Sequence, residues 1–171
     1  MTLQTKEGPA VVNETINYLN RISAVPMLKL NEELSKAARD HVIDIGAKGL
    51  CTHESSDGTP FAKRLNKYGK TVICSGENMS FSCETALEVI LQLVIDDGVP
   101  NRGHRLSIFK PDFRCCGIFS GAHKVNKTMT TIDYAGGFIK IGEEDPFERQ
   151  MNEFLKEEVK FDNMPPNIKT I

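Results

Sequence analysis

NEELSKAARDHVIDIGAKG, residues 31–49, is a helix with both of its ends written into it. Asn31 is a good N-cap, and Glu32 and Glu33 put negative charge in the first turn, where the helix dipole favours it. Leu34, Ala37, Ala38, His41, Val42 and Ile45 recur at i, i+3, i+4, i+7, i+8 and i+11, one apolar stripe. Gly46 and Gly49 are read as the stop. His41 lies on the stripe and is read as a core histidine.

Outward from this helix, residues 10–23 repeat apolar side chains at helical spacing up to a break at Val25–Pro26. CTHESSDGTPF, residues 51–61, reads as a loop with an Asp-Gly turn. Thr59 as N-cap and Pro60 at the first helical position then start a short helix running to Tyr68–Gly69. TVICSGENMSF, residues 71–81, reads as a strand broken at Ser75–Gly76. Ser82 is the expected cap of a second long helix, with Leu87, Ile90, Leu91 and Val94 inward and an end near Asp96–Asp97–Gly98. RCCGIFSG (114–121) and KTMTTIDYAGGF (127–138) follow as strands, with a hairpin-type link near His123. Helices first and strands interleaved later predict an α+β fold, helices covering an antiparallel sheet.

The totals bound the function classes. At 171 residues the chain is long enough for one domain with a full core, and 40% hydrophobic with 26% charged residues is ordinary for a globular protein. A net charge of −2 gives no reason to expect nucleic acid as a partner. Residues 142–171 hold eight acidic and four basic residues, so they read as a separate acidic tail behind a domain at 1–141. A helix is expected over 145–159, and NMPPNIKTI (163–171) is expected to be extended. No run is long and apolar enough to predict a membrane span. MTLQTKEGPA lacks the basic start and apolar core of a secretory signal, which reads as an intracellular, cytoplasmic protein or as a mature form. Five cysteines without CxxC spacing argue against a cysteine-built zinc site. Cys115 and Cys116, adjacent on a strand, must face opposite ways.

VPNRGHRLSIF, residues 99–109, is a turn that delivers His104. The other polar candidates at element ends are His53, Glu77, Asp96 and Asp97. Each taken singly reads as structural. Asp96 and Asp97 at the negative end of a helix dipole are out of place and point to another role. Two imidazoles and two carboxylates brought together would suit zinc or another divalent cation. Cys74 reads as a small packing residue rather than a nucleophile, and no phosphate loop or GxSxG elbow is present.

HESSDGTPFAKRLNKYG (53–69), SGENMSF (75–81) and DDGVPNRGHRLSIFKPDFRCCGIFSG (96–121), in that order, resemble the CAP superfamily of cysteine-rich secretory, antigen 5 and pathogenesis-related 1 proteins, also called SCP domains, in the compact form found in microbes and protists. The likeness covers about residues 10–140. It implies a three-layer α-β-α sandwich with a central antiparallel sheet and a cleft where His53, Glu77, an acid at the end of the long helix (Asp96, or failing that Asp97) and His104 meet. It also implies weak zinc or magnesium binding through His53 and His104, and a groove for a lipid, a sterol or a protein partner. The protein is then secreted, although no signal peptide is visible. Three departures stand out: an aspartate replaces the usual glutamate after an aromatic pair, GHRLS replaces GHYTQ, and no cysteine-rich C-terminal module follows.

The expected function is a CAP-domain binding protein, with the question of an enzymatic activity left open. Two alternatives are a metal-assisted hydrolase, with Glu77 as base beside His104, and a purely structural polar cluster.

Overall fold

The computed structural model describes residues 5–162. The chain separates into two compact units, residues 1–140 and 141–171. The second contains helix α6, Pro146–Asp162; the extended end expected at 163–171 lies outside the described residues.

In the first unit, α1 (Pro9–Leu19) starts with proline in its first turn. The two-residue β1 (Lys29–Leu30) precedes α2 (Glu32–Lys48), whose N-cap Asn31 accepts from the Leu34 amide at 3.0 Å as its sequence predicts. The stop is Gly49 alone, in the left-handed region at φ 72°. Gly46 serves a different purpose. A Cβ there would lie 2.5 Å from the Ala122 carbonyl oxygen, so its bare backbone lets α2 approach the sheet.

The next helix, α3 (Phe61–Leu65), has Pro60 as its cap residue, with no capping side chain. Thr59 instead donates its amide to Asp57 across the preceding turn. Strand β2 (Gly69–Phe81) runs through Ser75–Gly76; its register shift falls between Val72 and Ser75, where Ile73 sits at φ 70°. Helix α4 (Ala86–Ile95) is capped by Thr85, which forms a reciprocal capping box with Glu88; Ser82 lies outside it at φ 62°. Its buried face is Val89, Leu93, Val94 and Ile95, while Leu87 and Ile90 face outward. The apolar run ALEVILQLVI offers two usable faces, and packing against the sheet selected the second.

The turn after α4 leads into α5 (Gly103–Ile108), a helix the sequence did not announce. Strands β3 (Cys115–His123) and β4 (Lys127–Lys140) form the expected hairpin, His123 opposite Lys127. Sheet order is β1-β3-β4-β2. The long pairings are antiparallel, and only the short β1 runs parallel, to β3.

Alternation on these strands makes the layers. Leu34 and Ala37 of α2, Leu65 of α3, Cys115 and Ala135 pack together on one face. Val89 and Leu93 of α4, Phe113, Cys116, Ile132 and Tyr134 pack on the other. Cys115 and Cys116 thus face opposite ways as expected, and all five cysteines are free thiols. The result is an α+β sandwich of helices on both faces of a four-stranded sheet.

The layers also meet closely at Gly117, where a Cβ would sit 2.1 Å from the backbone of Leu34 and Ser35. Gly117→Ala is expected to force α2 off β3 and cost about 3 kcal/mol or more in urea unfolding. Thr85→Ala, which removes only a cap, is expected to cost about 1 kcal/mol in the same measurement.

Candidate functional site

The histidine of the apolar stripe, His41, is fully buried. Its Nε2–H donates to the Thr52 carbonyl at 2.9 Å, anchoring the loop one residue before His53. Burial pushes the imidazole below its usual range, so it stays neutral. This is the core role its position predicts.

His53 itself is more than half exposed, with side-chain exposure of 55%. Its Nδ1–H donates to Glu77 Oε1 at 2.7 Å. Glu77 is buried, and its second oxygen, Oε2, accepts from Arg64 Nη2. Arg64 projects from α3, is itself buried, and also donates to the His53 carbonyl at 3.1 Å. Burial works against the charge on Glu77. The His53 hydrogen bond and the Arg64 charge outweigh it and hold the carboxyl below the ordinary range. Across the sheet, Glu77 on β2 is the direct register partner of Asp133 on β4.

The second pair is built where α4 ends. Asp96 is the C-cap at φ 56°, a left-handed position that aspartate tolerates better than most residues. Its Oδ1 accepts from His104 Nδ1 at 2.7 Å, and its Oδ2 accepts the amides of His104 at 2.9 Å and Arg105 at 3.2 Å. This accounts for an acid at the wrong end of α4: its carboxylate serves the first turn of α5. Asp97 points elsewhere, to the amides of Lys6 and Glu7 at 2.6 and 3.0 Å.

Arg105, in the departure GHRLS, is buried. It forms a two-pronged pair with Glu14 of α1 at 2.6 and 2.8 Å and takes the Val94 and Ile95 carbonyls at the end of α4. That departure ties three helices together below His104.

The structure therefore brings the four expected residues into two imidazole–carboxylate pairs. Residues Glu77 and Asn78 join the pairs, because consecutive strand positions face opposite layers. Glu77 faces α3 and His53, while Asn78 donates from its side chain to the His104 carbonyl at 2.9 Å. Among the described residues, no group of three or more His, Cys, Asp or Glu side chains is placed to hold a metal ion. In each pair Nδ1 is committed to a buried carboxylate, which leaves Nε2 as the nitrogen with a free lone pair, on a ring with 55% (His53) or 32% (His104) exposure.

Arg64, Asn78, Arg105 and Asp133 were missed by sequence reasoning. Only Asp133 carried a signal, as a carboxylate inside the otherwise buried run TTIDYA.

Asp96→Ala removes the acceptor of three donors and is expected to cost about 2 kcal/mol or more in urea unfolding, whereas His104→Ala, which spares both backbone bonds, should cost about 1 kcal/mol. A large loss in His104→Ala would make the imidazole a structural strut. Glu77, with its folded value held below its ordinary 4.5, contributes stability that is present above that pH and lost as pH falls through the folded value. Glu77→Gln should flatten that part of the acid-unfolding profile followed by circular dichroism.

In comparisons with known proteins, residues 14–134 match the CAP model, described as the cysteine-rich secretory protein family. No curated protein sequence matches the chain. Among solved structures, an outer surface protein from Borrelia burgdorferi is similar at 19% identity and TM-score 0.55, over 79% of this chain and 96% of that one. An extracellular protein containing a SCP domain from Bacillus anthracis is similar at 16% identity and TM-score 0.52, over 74% of this chain and 39% of that one.

Proposed function

Since the chain belongs to the cysteine-rich secretory protein (CAP) family, we propose that it is an extracellular binding module whose cleft holds a divalent cation weakly through Nε2 of His53 and of His104. The observation that carries this reading is the repeated geometry: an imidazole that reaches solvent, half-buried in His104 and exposed in His53, with a buried carboxylate locked on its Nδ1. That is how proteins set the tautomer and basicity of metal-binding histidines. Asp96 and Glu77 orient the rings and do not themselves face the ion. Two imidazole nitrogens with water completing the shell suit zinc better than magnesium, which prefers oxygen. A bound cation supplies a fixed positive charge, and a Lewis acid, at the mouth of the cleft. The location outside the cell follows the family description and the names of the two structures above.

Binding is favoured over hydrolysis by the state of Glu77. One of its oxygens accepts from His53 and the other from Arg64, and the side chain is only 2% exposed, so bulk water does not reach the carboxylate. A general base needs its proton donor within hydrogen-bond reach.

A lipid reading has its own support. A pocket of about 590 Å³ adjoins His104 and Asp96, walled by Met79, Phe81, Leu91 and Ile95. Its polar lining, Lys6 with Glu88, Asp96 and Asp97, gives an apolar chain a wall and a polar group a rim of both signs. The walls are α4 and the end of β2 rather than two helices.

Calorimetric titration is the test. Zinc should bind the wild type, magnesium more weakly, and His53→Ala/His104→Ala neither; Glu77→Gln should weaken zinc about tenfold. No zinc binding to the wild type, or equal binding to the double variant, ends the cation reading. A fluorescent fatty acid should bind the wild type and lose affinity in Leu91→Lys; unchanged affinity there ends the lipid reading.

A further inference from the structure

Asp133 takes no part in either pair above, yet it is completely buried on β4, directly across from Glu77. No donor reaches either of its carboxyl oxygens. Cross-strand register nevertheless sets its carboxyl against that of Glu77, on the same face of the sheet. Two carboxyl groups can make such a contact only if one keeps its proton. Glu77 already accepts from His53 Nδ1 and from Arg64, both of which favour the anion. The proton therefore belongs to Asp133. From this geometry we propose that Asp133 is a positioning residue of the cleft, a neutral acid at physiological pH that donates to Glu77 and so holds Glu77 as the acceptor that sets the His53 tautomer.

Charge balance agrees. A buried anionic pair beside a single guanidinium leaves one uncompensated charge in a low-dielectric interior, whereas one anion against Arg64 leaves none. The charged groups acting on Asp133 are Glu77 from β2 and Arg64 from α3. Its cross-strand partner on β3 is Gly117, which brings no side chain. His41 from α2 is kept neutral by burial and so adds no charge. Burial first, and then the Glu77 charge, raise Asp133 well above the carboxylate range.

The alternation of β4 makes this placement obligatory. Met129 and Ala135 pack under α2, while Ile132 and Tyr134 pack under α4. Asp133 shares the parity of Met129 and Ala135, so it falls in the layer that holds Arg64 and Glu77.

Infrared spectroscopy of the full chain without metal tests the protonation directly. At neutral pH the wild type should show the carbonyl stretch of a protonated carboxylic acid, and Asp133→Asn should lack it; a wild type without the band, or a variant that keeps it, overturns the proposal. Nitrogen-15 NMR of the histidine rings reads the positioning role, again without metal. His53 should be the Nδ1–H tautomer in the wild type and in Asp133→Asn, whose amide still donates to Glu77. In Asp133→Ala that bias should be lost, and an unchanged tautomer there refutes positioning. The sign of the pH effect is a third check. Because the folded protein holds a proton that the unfolded chain releases, wild-type stability relative to Asp133→Asn should fall as pH rises above the ordinary aspartate value of 3.8. The consequence for cation binding rests on the function proposed above: zinc affinity should drop about tenfold in Asp133→Ala and recover in Asp133→Asn. If the wild type binds no zinc at all, that function fails, while the infrared and NMR results still decide the role of Asp133.

Discussion

The placement of His53 depends on one buried ion pair at an edge strand, Arg64 of α3 against Glu77 of β2. Both side chains are withdrawn from water, so each carries a large desolvation cost that only its partners offset. The guanidinium meets one Glu77 oxygen and the His53 ring meets the other. That leaves Glu77 rigid, and the rigidity passes outward to His53, which is solvent-facing and otherwise on a loop. Removing either member of the pair would leave its partner charged and alone in the interior, the most destabilising outcome such a pair has.

The second pair reaches the same end by different means. Asp96 is held by backbone as much as by side chain, since two of its three donors are amides at the start of α5. Below it, the Arg105 guanidinium donates to the Val94 and Ile95 carbonyls at the negative end of α4 and fastens α1 through Glu14. The shorter acid and the substituted motif read as departures from the family pattern, and together they form a self-consistent alternative support. Asn78 then couples the two layers through the His104 carbonyl. Two imidazoles backed by locked carboxylates have their electrostatics set before any ligand arrives, the arrangement that preorganised binding sites share.

The elements were legible wherever local chemistry specifies them alone. Asn31 and Gly49 bracket α2 because a cap and a left-handed stop act within four residues. The Cys115–Cys116 split follows from the two-residue period of any strand. Elements whose limits depend on neighbours were not legible. α4 could be capped by Ser82 or by Thr85 and could bury either of two faces, and contact with the sheet chose Thr85 and Val89–Leu93. Gly46 reads as a helix stop in isolation and is instead the point where Ala122 comes close.

By itself the sequence determined the α+β class, the helices bounded by their own caps, the hairpin, and the residue types available for the site: His53, Asp96 and His104 stand at loops and helix ends, while Glu77 lies inside β2. Tertiary structure alone decided the pairing, because each partnership joins residues far apart in the chain and depends on register. A shift of one residue between β2 and β4 would exchange Glu77 for Asn78 at the Arg64 face and remove Asp133 from contact. Which carboxyl keeps a proton was likewise beyond any local pattern, since it is settled by burial and by the donors that reach one acid and not the other.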